Sequence, residues 1–70
     1  MATQKIDKRF GTIAIEKGII TEEQLFEVLK TQISEELENK ERRLIGQILF
    51  EKGYITPDEI DDVLIAMGIL

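Results

Sequence analysis

Asp58, Asp61 and Asp62 fall at i, i+3 and i+4, so on a helix their carboxylates share one face. Three acids so placed can offer oxygens to a hard cation, but a row on a straight helix does not supply the six to eight oxygens that calcium takes. They stand in the first turns of an apparent helix, where negative charge complements the dipole, and that is the plainer reading. Two carboxylates working as acid and base would need a pocket that drives their pKa values apart, for which a domain this size has little room. Histidine and cysteine are both absent. The commonest general acid–base, the commonest metal ligand, the thiolate nucleophile and the disulfide go with them. The expectation is a protein with no catalytic residues, no metal and no cofactor: not an enzyme.

What positions these residues is an internal repeat. Phe10-Gly11-Thr12-Ile13-Ala14-Ile15-Glu16-Lys17-Gly18-Ile19-Ile20-Thr21 is answered by Ile45-Gly46-Gln47-Ile48-Leu49-Phe50-Glu51-Lys52-Gly53-Tyr54-Ile55-Thr56. Gly11 and Gly46, Gly18 and Gly53, and Thr21 and Thr56 each lie 35 residues apart. Repetition on this scale organises a whole fold. Each copy reads as helix, short loop, helix. Lys-Gly closes the first helix with a left-handed cap at Gly18 and Gly53. Thr21 to Gln24 and Thr56-Pro57-Asp58-Glu59 are capping boxes that open the second. Beyond them, Leu25, Val28, Leu29 and Ile33, widened by Phe26 and Leu37, and then Ile60, Val63, Leu64 and Met67, form apolar stripes at helical spacing. Thr12 to Ile15 has the β-branching of a strand, but its partner Gln47 to Phe50 favours a helix, and both are read as helices. Residues up to about Ile6 are expected to fray. The stretch from Ser34 to Arg43 favours helix, with a break near Asn39.

The fold class is therefore all-α: two tandem helix–loop–helix repeats forming a compact four-helix domain. Repeat 1 covers about 9–32, a charged helical connector about 33–43, and repeat 2 about 44–67, in a single domain of 1–70. Seventy residues give a thin core, which a homodimer would relieve. Hydrophobic residues make up 43% and charged residues 33% of the chain, the balance of a soluble globular domain. No apolar run reaches the roughly 18 to 20 residues of a membrane span, so no membrane insertion is expected, and a cytoplasmic, bacterial-type protein is. The net charge of −5 opposes nucleic-acid binding, which rests on cations meeting phosphates. Phe26, Phe50, Tyr54 and the tail Met67-Gly68-Ile69-Leu70 are more apolar surface than so small a core encloses. Most are expected in the core, and Phe26, Ile69 and Leu70 are expected to meet a protein partner.

From Arg9 to Gln32 the chain resembles the N-terminal domain of type II secretion and type IV pilus assembly ATPases. Arg9-Phe10-Gly11, Ala14-Ile15, Gly18, Ile19-Ile20, Leu25, Leu29 and Gln32 carry the likeness. Phe10 stands where the family has leucine, and Ala14 is smaller than its usual aliphatic residue. The second copy keeps Gly46, Leu49-Phe50, Gly53, Tyr54-Ile55, Ile60 and Leu64, but Leu44 replaces the leading Arg and Met67 the closing Gln. Tandem units of that family can bind cyclic di-GMP. The resemblance thus implies a ligand set of Arg9, Phe10, Gly11, Ile15, Gly18, Ile19, Gln32 and Gly46. Arg9 would hold a guanine edge or phosphate bidentately, against the plainer reading of a solvated residue. Gln32 would bond a base, against that of a half-exposed, solvated amide. Gly11 and Gly46 cost about 1 kcal/mol relative to Ala within a helix, so something approaches the backbone there, a crossing helix before a flat ligand. No ATPase phosphate loop is present. With the second half-site altered, the leading expectation is a non-enzymatic protein-interaction or adaptor module of secretion- or pilus-type machinery. The alternative is a cyclic di-GMP sensor using the first repeat, as a homodimer where two good copies are needed.

Overall fold

The computed structural model describes the backbone of residues 2–41 and 43–70, and the side chains of residues 7–41 and 43–70. Four helices account for it: α1 (Ala2–Glu16), α2 (Glu22–Leu37), α3 (Ile45–Glu51) and α4 (Pro57–Ala66). Among the described residues there is no strand, so Thr12 to Ile15 is helical despite its β-branching. The fraying expected up to Ile6 is corrected: the helix begins at Ala2. Ala2, Gln4 and Lys5 are good helix formers, and they extend a helix already fixed in the core by the residues that follow.

The capped helix ends are where the sequence says they are. The connector, expected to be helical over about 33–43, is helical only to Leu37, because the chain turns at the left-handed Asn39. Both capping boxes form, with Thr21 accepting from the Gln24 amide and Thr56 from that of Glu59. Such a threonine is worth about 1 kcal/mol over alanine. Gly18 and Gly53 adopt φ of 73° and 79°, the left-handed conformation that spares them a Cβ clash. Around each, the paired bonds of a Schellman cap close: Gly18 N–H to Ile15 and Ile19 N–H to Ala14, then Gly53 N–H to Phe50 and Tyr54 N–H to Leu49. α2 stops in the same way at Asn39, with φ of 60°.

The two units are interlocked. α3 packs on both α1 and α2, and α4 packs on α1, so each unit's helices lie chiefly against those of the other. The shared core consists of Phe10, Ala14, Ile20, Val28, Ile45, Ile48, Leu49, Ile55 and Val63. Both apolar stripes enter it, and neither unit can bury its stripe alone.

The second loop is also tied to α2. Tyr54 donates its hydroxyl to the Glu27 carboxylate at 2.8 Å, and the Lys52 ammonium stands 3.3 Å from the same group. Donation from Tyr54, reinforced by Lys52, holds Glu27 below the ordinary carboxylate range. The same bond, with partial burial, raises Tyr54 above its usual value near 10. Glu27's depressed value means its contribution is complete above about 4.5 and lost as pH falls through the folded-state value. Tyr54's raised value means its contribution is complete below about 10 and lost as pH climbs through the folded-state value. Tyr54 is the sole tyrosine, so an absorbance titration reads it alone. The midpoint should lie above 10 and fall back toward it in Glu27→Ala. An unshifted midpoint in both proteins would remove the link.

Candidate functional site

Asp7 anchors the site from beneath. Its carboxylate accepts the Ile45 N–H at 2.7 Å and the Gln32 side-chain amide, also at 2.7 Å. It is 5% exposed. The Ile45 bond is an N-cap supplied from 38 residues away, and it satisfies one of the donors that every helix start leaves open. Gln32 donates as well to the Arg43 carbonyl at 3.0 Å, so α2 grips the strand-like approach to α3. Arg43 completes the clamp by pairing its guanidinium with Glu35 and Glu51.

Above this anchor lies an apolar groove of about 340 Å³ between α1, α3 and α4, lined by Asp7, Phe10, Leu44, Gly46, Gln47, Phe50, Ile60 and Leu64. Phe10 is its buried floor. The ring fits under α3 because residue 46 is glycine: a Cβ there would come within 3.1 Å of Phe10 Cζ. In the first unit the same position is closed. Gly11 meets the methyl groups of Leu25, the nearest only 2.7 Å from where its Cβ would stand. Ile60, the counterpart of Leu25, lines the groove instead. The equivalent glycines therefore seal one unit and open the other.

The groove's chemistry is that of its walls. Asp7 is committed to Ile45 and Gln32, and the Gln47 side-chain oxygen accepts the Leu44 N–H. Beyond the Gln47 side-chain N–H groups, what remains for a visitor is aliphatic and aromatic. Leu44 is 43% and Phe50 50% exposed, which is costly for large apolar groups left in water.

The ligand set implied by the resemblance is dispersed. Phe10 and Gly46 meet at the groove. Gly11 is buried against Leu25, while Ile15 and Ile19 are half-buried and pack on the core. Gly18 is a helix cap. Arg9 stands on the outer side of α1, beside Thr12, Glu16, Lys17 and Ala66, apart from the groove lining. Gln32, expected to be half-exposed, is buried at 7%; its amide faces inward because the Asp7 carboxylate and the Arg43 carbonyl both require a donor there. Phe26, Ile69 and Leu70 are exposed, as expected of partner-binding residues, but none of them lines the groove. Among the described residues, no group of three or more acids gathers closely enough to hold a metal ion. No helix among them is long and apolar enough to cross a membrane.

No family model, curated protein or solved structure matches this chain. The site therefore has to be read from its own chemistry. Sequence reasoning found Phe10 and Gly46 but missed Asp7, Leu44, Phe50, Ile60 and Leu64 as parts of one site. One signal was available: a bulky Phe10 in one repeat and a glycine, Gly46, early in the first helix of the other.

Proposed function

We propose that this chain is a non-enzymatic protein-interaction module of the bacterial cytoplasm, of the kind its resemblance to the secretion and pilus ATPase N-terminal domain implies. It engages its partner through the groove of Phe10, Leu44, Phe50, Ile60 and Leu64. The observation that carries this reading is the groove's composition: its walls are apolar and half in water, and its polar members bond within the chain. Such a surface gains most from apolar side chains, which a protein partner supplies. A cyclic dinucleotide would instead need cations at its phosphates and free donors at its bases. Here Gln32 is occupied and Arg9 lies elsewhere.

The test combines capture with titration. From a lysate of the source cell, the immobilised chain should retain a protein that Phe50→Asp releases and Arg9→Ala keeps, with the helical circular dichroism of both variants unchanged. Retention that ignores Phe50→Asp would move the interaction off the groove. Titration with cyclic di-GMP at about 100 μM, where a signalling affinity would be evident, should give no heat. Heat that vanishes in Arg9→Ala would replace the adaptor reading with the sensor.

A further inference from the structure

The groove's two lips differ in charge, and the difference specifies a partner. From Gly53 to Leu70 the chain contains no Lys or Arg, while α4 carries Asp58, Glu59, Asp61 and Asp62. On a helix each residue advances by about 100°. Val63, in the core, thus lies to one side of Ile60 and Leu64, and Asp61 and Ile65 lie to the other, toward solvent. Asp61 and the exposed Ile65 therefore form the outer edge of this wall, with Asp58 just beyond. Asp58, Asp61 and Asp62 are all exposed, and among the described residues none of them is held in an ion pair. Among the described residues of the opposite wall, Arg43 is engaged by Glu35 and Glu51 and so does not compete for those carboxylates.

Resting on the groove reading above, we infer that the occupant is an amphipathic helix with a basic polar face. Ile60 and Leu64 on α4 are an i, i+4 pair that presents an apolar ridge to the groove, and Phe50 on α3 faces it across the gap beside Gly46. A helix with apolar anchors at i, i+3 or i+4, and i+7 matches them. Its flanking Lys or Arg residues then meet the uncompensated carboxylates of α4. A second copy of this chain fits less well. Its exposed apolar face on α2, Phe26, Ile33 and Leu37, is accompanied by Glu22 and Glu23 and by Lys30. Laying that face against α4 sets acid against acid in a chain of net charge −5.

Three synthetic helical peptides of about 18 residues, five turns, provide the test. One has leucine anchors and Lys/Arg elsewhere, the second the same anchors with Glu, and the third the basic residues with serine anchors. Fluorescence anisotropy should show the basic leucine peptide binding about tenfold or more tighter than its acidic twin. The advantage should shrink as salt rises. The double variant Asp58→Lys/Asp61→Lys should reverse the preference, and Phe50→Asp should abolish binding of the basic leucine peptide. Equal binding of the basic and acidic leucine peptides overturns the basic-helix inference and leaves the groove standing. Failure of both leucine peptides overturns the groove itself. Binding of the serine peptide as strong as that of its leucine counterpart, or binding that survives Phe50→Asp, reduces the effect to surface attraction and overturns both.

Discussion

Asp7→Ala should remove most of the domain's stability and leave it marginally folded at room temperature. The substitution removes the acceptor for two buried donors, the Ile45 N–H and the Gln32 amide, each at 2.7 Å. Hydrogen bonds to a charged group are worth roughly 1.5–3 kcal/mol each, and a buried donor left unpaired loses its full solvation besides. About 3–5 kcal/mol is thus at stake in a domain of a size that places it near the lower end of the usual 5–15 kcal/mol. The consequence is wider than one cap, because Asp7 joins α1 to α2 through Gln32 and to the start of α3. Asp7→Asn keeps one carbonyl oxygen and should fall between wild type and alanine. Gln32→Ala removes one donor together with its need for a partner, and should cost less than Asp7→Ala. The two sites share a bond, so the double variant should lose less than the sum of the singles. Urea titration followed by circular dichroism reads all four variants against wild type. A midpoint for Asp7→Ala equal to that of wild type would show that the buried carboxylate is dispensable.

This anchor is the part of the molecule least legible in the sequence. Local chemistry was readable because its causes are local: Thr21 and Thr56 cap helices a few residues away, and Gly18 and Gly53 take a conformation set by their own backbone. The apolar stripes were readable because helical period is a property of neighbours. Asp7 acts across 38 residues, and nothing near it in the chain marks it as a cap. The repeat gives no help, since its counterpart 35 residues on is Arg42. Gln32 looked like a solvated amide or a base-binding one, and only Asp7 makes it structural. The groove was hidden for a related reason. Phe50, Ile60 and Leu64 have the spacing of core residues, and only the cross-packing of the units leaves them in an open wall. Exposure at Phe26, Ile69 and Leu70 could be foreseen by counting apolar residues against a small core, but that count says nothing about which of them converge.

Phe10→Ala should cost about 3–5 kcal/mol, the usual range for removing a buried aromatic ring, and should deepen the groove whose floor the ring forms. The more discriminating experiment couples Phe10 to Gly46. Gly46→Ala alone sets two effects against each other. The helix gains up to about 1 kcal/mol from the better residue, but the new methyl would stand 3.1 Å from Phe10 Cζ and 3.3 Å from Cε1. A buried ring has little room to yield, and overpacking of this kind costs about 1–3 kcal/mol. The net result should be a loss of about 1 kcal/mol. Leucine at position 10 has neither of those ring atoms. In a Phe10→Leu background, Gly46→Ala should therefore become neutral or stabilising, a reversal of sign with a coupling of about 1–2 kcal/mol. Gly11→Ala serves as the internal comparison. Its methyl would meet Leu25 at 2.7 Å, but that atom is the free end of a half-buried side chain that can rotate aside. The substitution should stay within about 0.5 kcal/mol of neutral, the clash offset by helix propensity. Four urea titrations give the cycle. An equal cost for Gly46→Ala in both backgrounds would mean that Phe10 is not what holds residue 46 to glycine. A sign reversal at Gly46 with near-neutrality at Gly11 would show the repeated glycines to be equal in sequence and opposed in consequence.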